Sequence, residues 1–451
     1  MKNHKEIVID ENTHVRTLAW PIFIELLLNI LLHNVDTIML GRYSELAVGA
    51  VGNANQLLMV FLIMFNVVAS ATNVIVAQYL GAKQVDKMNQ IYTLSFVFNM
   101  ALGILLSVIV FSFSKVFLGF LKVPAEMMVD STSYMKIVGA CLFMNAGFSV
   151  LSQILRCNGY PKMGMYISIL VNLFNILGNW LFLYGPLSYL GLGVRGVAIS
   201  TIFARLIALI VALVLFYRLK IGKLSLKTLH PFPTTLLLKE LKIGVPTAGE
   251  NMAYTLAQLV LFSFVNVMGT DAVNAKVFGN TLMSFSVIFS NSVAMATAIV
   301  TGHLVGAGKF HAAYKKVFRQ LRICIPVAVV IASINCLICP WTLKLFGANG
   351  EVVVLARGIL IVGIFMEIGR TTNLIMVNSL KSAGDVMFPV AMGLISMWIV
   401  GISVGYVCGV VFGLGVAGVF MGTMADELGR GIVMIARWMS GKWRTKRVIE
   451  E

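Results

Sequence analysis

Long apolar segments recur along almost the whole chain, and they constrain its fold more than any other feature. Each runs for about 20 residues, the length that an α-helix needs to cross the hydrocarbon core of a bilayer. Only 12% of the 451 residues are charged, whereas soluble domains carry about 25%. The segments lack the short alternating pattern of membrane β-strands. The sequence therefore predicts an all-α integral membrane protein.

The apolar pattern predicts twelve transmembrane helices. They lie near residues 18–40, 52–78, 90–113, 132–154, 163–185, 196–217, 244–267, 278–303, 321–342, 355–378, 387–410 and 414–437. Most lysines and arginines fall in one set of loops and in both tails, so the positive-inside rule predicts cytoplasmic termini. We expect the protein to lie in the plasma membrane. The net charge of +16 then reflects topology and attraction to membrane lipids. No basic face on a soluble element is visible, and nucleic-acid binding is not expected.

The two halves of the chain repeat each other at an offset of 225 residues. The pattern PxxxE occurs at residues 21–25 and 246–250, and LRCNG (155–159) aligns with LKSAG (380–384). Each half holds six predicted spans, so both halves enter the membrane from the same side. Two such bundles leave a cleft between them, which favours alternating access over a simple pore.

The repeat also predicts the domain organisation. We expect an N-terminal six-helix lobe over residues 1–217, a cytoplasmic linker over residues 218–243 and a C-terminal six-helix lobe over residues 244–451.

Four polar side chains lie inside the first apolar segment: Glu25, Asn29, His33 and Asp36. At 100° per residue they point within about 80° of each other and form one stripe. A carboxylate inside the membrane is costly, and such residues usually take part in function. Asp36 aligns with Leu261 in the repeat, which favours a task performed once, such as binding a coupling ion. The alternative is a stripe of hydrogen bonds that packs the helix, the more probable role of Asn29 and His33.

A second polar stripe lies in the fifth predicted span. Asn172, Asn175 and Asn179 are spaced by three and four residues and share a helix face. Amide oxygens beside a carboxylate can bind Na⁺ or hydrogen-bond a protonated acid. We therefore predict Asn175 and Asn179 as partners of Asp36 in the ion site; interhelical packing is the alternative.

The second half carries its own polar groups. Glu250 and Tyr254 share a face of the seventh predicted span, and Glu367 lies three residues before Arg370 in the tenth. We predict a substrate or second ion site at Glu250, Tyr254 and Glu367, with a local ion pair as the alternative for Glu367. The charged residues of the twelfth span are interpreted as mainly structural ion pairs; they are Asp426, Glu427 and Arg430.

Enzymatic and ATP-driven functions are not expected. The chain has no GxxxxGK[ST] motif for ATP, and its six histidines form no HExxH or other catalytic cluster. No cofactor is predicted beyond a coupling H⁺ or Na⁺.

Taken in order, the motifs of both halves resemble the multidrug and toxic compound extrusion (MATE) family over nearly the whole chain. The motifs are Pro21 with VDTIMLG (35–41), AVGN (50–53), AQYLGAK (77–83), RCNGYPK (156–162), GVP before Glu250, and KSAGD (381–385).

The resemblance implies a V-shaped twelve-helix exporter of small lipophilic cations, driven by inward H⁺ or Na⁺ and acting as a monomer. It implies that Asp36 is the coupling acid, that Asn175 and Asn179 line the same cavity, and that Glu250 and Glu367 serve the second lobe. Asn179 replaces an acid that some members carry, and Glu25 lies outside the family pattern, so the ion stays open. The alternative is a lipid-linked oligosaccharide flippase of a related fold, for which fourteen spans and a cationic cavity are expected.

Overall fold

The computed structural model describes residues 8–345 and 348–449, which are almost entirely helical and contain no β-strand. This confirms the predicted all-α class. The α-helices are α1 (Val15–Tyr43), α2 (Glu45–Gly81), α3 (Met88–Phe120), α4 (Ala125–Ala140), α5 (Leu142–Cys157), α6 (Pro161–Leu183), α7 (Val194–Arg218), α8 (Thr234–Val267), α9 (Thr270–Gly306), α10 (Phe310–Leu345), α11 (Gly350–Ser382), α12 (Met387–Ile395), α13 (Ile402–Tyr406) and α14 (Gly415–Met439).

Nine helical segments among the described residues are long and apolar enough to span a membrane. The pair α4 and α5 adds a tenth span, which is bent by 47° at Cys141, where the backbone leaves helical geometry. The other two predicted spans correspond to α8 and α14, which have 34 and 25 residues. They are long enough to cross, but their polar and charged side chains lower their hydropathy. The chain is a multi-pass membrane protein.

One span is built from several helical pieces. Residues Met387–Val411 form a continuous span in which α12 and α13 alternate with wider π-helical turns at Ser396–Gly401 and Val407–Val411. Here the chain packs closely on α14: a Cβ atom at Gly422 would lie 2.3 Å from the carbonyl oxygen of Gly401. Small residues allow such close approach between membrane helices.

Contacts within the chain divide it into two compact units. Unit 1 contains Ile24–Leu80 and Gln84–Gly244, and unit 2 contains Ile9–Phe23, Gly81–Lys83 and the chain from Val245 onward. Helix α1 therefore begins in unit 2 and continues in unit 1, whereas α8 begins in unit 1 and continues in unit 2. Both helices change unit within three residues of the repeated proline, Pro21 or Pro246.

Each unit has its own apolar core. Buried side chains such as Phe65, Leu118 and Met135 form the core of unit 1. The core of unit 2 includes Ile359 and also Leu261, which is 3% exposed. The position that aligns with Asp36 is therefore filled by apolar packing in unit 2.

Candidate functional site

Asp36 of α1 meets two asparagines of α6 in unit 1. Asn179 donates a hydrogen bond from Nδ2 to Asp36 Oδ1 at 2.7 Å and another to Asn175 Oδ1 at 3.1 Å. Both asparagines are buried and Asp36 is half-buried. The amides are four residues apart and project from one helix face. The structure thus brings together the three side chains that the sequence predicted as a coupling-ion site.

Hydroxyl groups of α7 orient these amides. Thr201 Oγ1 accepts a hydrogen bond from Asn175 Nδ2 at 3.3 Å and donates one to the carbonyl oxygen of Val197 at 2.9 Å. Ser200 Oγ donates to the backbone carbonyl of Asn175 at 2.9 Å. The buried Oδ1 of Asn179 has no hydrogen-bond partner among the described residues. Because carbonyl and carboxylate oxygens are hard ligands, this arrangement can hold a small cation.

Sequence analysis missed Arg205, which lies on α7 in the same unit. Its guanidinium interacts electrostatically with Asp36, Tyr134 and Cys141. The Tyr134 ring is buried, and its hydroxyl lies near Thr201. The signal was present in the sequence: Arg205 is the one arginine inside the predicted span 196–217. The positive-inside rule treats arginines as loop residues that indicate topology, so it gives no role to an arginine inside a span.

The predicted stripe of α1 does not act as one group. Glu25 is 3% exposed and forms an ion pair with Arg156 of α5, with 2.5 Å between Oε1 and Nη2. Asn29 is exposed, and the side chain of His33 lies outside the described part of the chain. Asn172 donates a hydrogen bond to the backbone carbonyl of Leu28 at 3.3 Å, so it packs α6 against α1.

The ion pair of Glu25 has a counterpart in unit 2. Glu250 of α8 pairs with Lys381 of α11, with 2.6 Å between Oε2 and Nζ. Arg156 and Lys381 occupy equivalent places in LRCNG and LKSAG. The repeat therefore preserves the acidic and the basic member of each pair. The alignment of the halves already shows this correspondence in the sequence.

A glycine leaves room for each of these carboxylates. A Cβ atom at Gly164 of α6 would lie 2.6 Å from Glu25 Oε2, and one at Gly393 of α12 would lie 2.9 Å from Glu250 Oε1. Both distances are shorter than van der Waals contact, so a larger residue would displace the carboxylate from its partner.

Unit 2 gathers five further charged side chains into one network between α11 and α14. Arg370 Nη1 lies 2.7 Å from Glu367 Oε1, and Arg430 Nη2 lies 2.7 Å from Asp426 Oδ2. Glu427 joins the two pairs, because its Oε1 is 3.9 Å from Arg370 Nε and 3.5 Å from Arg430 Nη2. The local ion pairs considered from the sequence are present within α11 and within α14. Glu427 connects them into a single cluster.

Other polar groups complete this cluster. Asn373 donates to Glu427 Oε2 at 2.8 Å, and Tyr254 interacts electrostatically with both arginines and both acids of α14. Glu367 Oε2 and Asp426 Oδ1 are buried and meet no donor in hydrogen-bonding geometry among the described residues. Three carboxylates face two guanidinium groups, so the cluster has one excess negative charge when all are ionised.

Comparison with protein-family models gives one match, MatE, over residues 21–181 and 246–407. These two segments cover most of the chain and correspond to its repeated halves.

Relatives match over nearly the full length. The chain is 34% identical to the uncharacterized transporter YisQ of Bacillus subtilis (strain 168), and the alignment covers 97% of this chain and 96% of YisQ. It is 24% identical to the probable multidrug resistance protein NorM of Thermotoga maritima, with coverage of 99% and 96%.

Solved structures share the fold. An outward-facing multidrug resistance MATE family transporter superposes with a TM-score of 0.89 at 17% identity, covering 97% of this chain and 98% of that one. The Vibrio cholerae MATE transporter VcmN in its bent form gives a TM-score of 0.88 at 16% identity, with coverage of 96% and 97%.

Proposed function

This chain belongs to the MatE family of membrane transporters, which are not enzymes, and from that premise we propose that it exports small lipophilic cations in exchange for inward H⁺ or Na⁺. Relatives named as multidrug resistance proteins support the multidrug part of this proposal. We further propose that the protein lies in the plasma membrane with both termini in the cytoplasm, as its basic loops favour.

The observation that carries the proposal is the asymmetry between Asp36 and Leu261. Asp36 accepts a hydrogen bond from Asn179, while the aligned position in unit 2 is a leucine in an apolar core. A carboxylate that only stabilised the fold would be expected in both halves. A carboxylate in one half supports a role in binding the coupling cation.

The proposed mechanism follows from charge. Asp36 binds H⁺ or Na⁺ with Asn175 and Asn179 as neighbouring polar groups. A bound cation shifts the equilibrium between the inward-open and outward-open states only if its affinity differs between them. Export follows when ion binding favours release of the substrate, and substrate binding favours release of the ion.

The cationic character of the substrate is supported by unit 2. Its cluster has an excess negative charge, and Tyr254 lies near Asp426 and Glu427. Aromatic rings and carboxylates attract cations in desolvated sites. Glu250 contributes less to this attraction than the sequence suggested, because Lys381 neutralises it.

Reconstituted protein tests this function. Proteoliposomes loaded with ethidium should lose dye faster when a Na⁺ gradient or a pH gradient is imposed, each in a separate experiment, and Asp36→Asn vesicles serve as the matched control. Dye flux that is unchanged after both gradients are collapsed contradicts ion coupling. Transfer of a lipid-linked oligosaccharide without either gradient would support the flippase instead.

A further inference from the structure

Four arginines of the helices, of which Arg156 and Arg430 are buried and Arg205 and Arg370 are half-buried, differ in how their charges are neutralised. Arg156, Arg370 and Arg430 each have a carboxylate oxygen within 2.7 Å. Arg205 has no carboxylate within ion-pair distance among the described residues, and its buried Nη1 has no hydrogen-bond partner there. A cation left unpaired inside a membrane protein is costly, so Arg205 calls for an explanation other than packing.

The electrostatic neighbours of Arg205 identify its counter-charge. They are Tyr134, Cys141 and Asp36. Tyrosine and cysteine side chains are ordinarily neutral at neutral pH, so Asp36 is the group among them that can supply a negative charge. Arg205 and Asp36 are thus a separated charge pair within unit 1.

A chain of hydrogen bonds connects Asp36 to α7, the helix that carries Arg205. Asn179 donates to Asp36 and to Asn175, Asn175 donates to Thr201, and Thr201 lies near the Tyr134 hydroxyl. These groups carry no net charge, and Thr201 lies four residues before Arg205 on the same helix. Asp36 therefore lies in the field of a fixed positive charge, and its carboxylate, which makes no direct ion pair and accepts one hydrogen bond from Asn179, can still bind another cation.

We propose that Arg205 is a tethered counter-cation of Asp36 that opposes binding of the coupling ion and thereby promotes its release. The proposal rests on the ion-coupled function of Asp36. Without an ion, the pair of ionised side chains is neutral; with H⁺ or Na⁺ bound, it carries one positive charge in a partly buried site. Like charges repel strongly in such surroundings, so the ion binds more weakly than it would to Asp36 alone and leaves more readily.

The same charge argues against Arg205 as a site for an anionic substrate. An anion could approach the guanidinium only when Asp36 had been neutralised by its ion. The ion and the anion would then be bound together, which couples their movement in the same direction. Exchange in opposite directions requires ligands that disfavour each other, and a cationic substrate meets this requirement.

Removing the guanidinium tests the proposal. Ion-driven ethidium flux is measured in proteoliposomes against the concentration of the driving cation, for the wild type, Arg205→Gln and Arg205→Lys. We expect Arg205→Gln to lower the half-saturating ion concentration at least tenfold and to reduce the maximal rate, because the ion is released more slowly. Arg205→Lys should stay within about threefold of the wild type, because the positive charge is retained.

A second variant tests the same idea with the arginine still present. Cys141 is an electrostatic neighbour of Arg205 and lies at the bend between α4 and α5, where helical geometry is already interrupted. Cys141→Asp supplies a carboxylate that pairs with the guanidinium, so it should reproduce the tenfold fall in the half-saturating ion concentration. Cys141→Asn is the matched control and should keep the wild-type value.

The outcomes separate the two proposals. If wild-type flux responds to an ion but Arg205→Gln and Cys141→Asp both show the wild-type half-saturating ion concentration, the counter-cation role is wrong and ion coupling stands. If Arg205→Gln does not fold, Cys141→Asp against Cys141→Asn decides alone. If the wild type responds to no ion, both proposals fall.

Discussion

The two units use buried charge in opposite ways. In unit 1, Asp36 and Arg205 interact electrostatically without forming an ion pair, and Asp36 accepts a hydrogen bond from the neutral amide of Asn179. In unit 2, each guanidinium of the cluster lies within 2.7 Å of a carboxylate. A separated pair leaves a carboxylate able to change its charge state, whereas a direct ion pair resists such a change. The comparison suggests that unit 1 responds to the coupling ion and that unit 2 presents a constant electrostatic field.

The largest effect should come from Asp36→Asn. The substitution keeps the shape of the side chain but removes its ability to bind a cation, so ion-driven flux should fall to the level of empty vesicles. The free energy of unfolding should change by no more than about 1 kcal/mol, because relief of desolvation offsets the loss of the counter-charge of Arg205. Flux and thermal unfolding of the purified protein measure the two quantities.

Leu261→Asn is the matched control for Asp36→Asn. It buries an amide in the apolar core of unit 2, which should lower the melting temperature while ion dependence is retained. Pumping by the Asp36 variant would refute the coupling role. A misfolded Asp36 variant beside a well-folded Leu261 variant would instead show that Asp36 is structural.

The next effect concerns the cluster of unit 2. Arg430→Gln leaves three carboxylates facing one guanidinium, and breaking a buried pair by removing one partner typically costs about 3–5 kcal/mol. We therefore expect a marked loss of thermal stability. The double variant Arg430→Gln with Asp426→Asn removes both charges of the 2.7 Å pair and should recover part of the lost thermal stability. Equal stability of the single variant and the wild type would show that the cluster is solvated and not a fixed charge network.

The smallest effect should distinguish the two repeated ion pairs. Glu25 and Arg156 have side chains that are 4% and 6% exposed, against 11% and 14% for Glu250 and Lys381. Glu25→Gln should therefore destabilise the protein more than Glu250→Gln, and the difference between their free energies of unfolding should be about 1–3 kcal/mol. Neither variant should shift the half-saturating concentration of the coupling ion. A shift in Glu25→Gln would place Glu25 in the ion site, as the stripe of α1 first suggested.

The fold was largely predictable, because apolar length and the repeat depend only on local sequence. The bend at Cys141 and the π-helical turns of residues 387–411 were not, since they depend on close packing with other helices. Helical spacing alone predicted the two polar stripes that contain Asp36 and Asn179, and the resemblance to MATE transporters implied that they line one cavity.

The sequence could not show which helices carry the partners of a buried charge. Glu25 pairs with Arg156, which is 131 residues away, and helical spacing gives no information about such pairs. Arg205 was visible as a charge in an apolar span, but its neighbour on α1 was not. Side chains of one helix could be grouped from the sequence, whereas contacts between helices needed the structure.

Helices α1 and α8 each begin in one unit and continue in the other, and this arrangement has a consequence for biosynthesis. Residues Ile9–Phe23 belong to unit 2, where Lys316 donates hydrogen bonds to the backbone carbonyls of Glu11 and Thr13 at 2.6 and 2.9 Å. The ribosome makes this segment first, yet the chain it packs against emerges only after Val245, tens of seconds later at about 5–20 residues per second. Unit 1 in turn is incomplete until the start of α8 is made, where Thr72 donates a hydrogen bond to Glu240 at 2.7 Å. A nascent chain stalled before α8 should therefore be more sensitive to proteolysis in both its first segment and its first six spans than the finished protein.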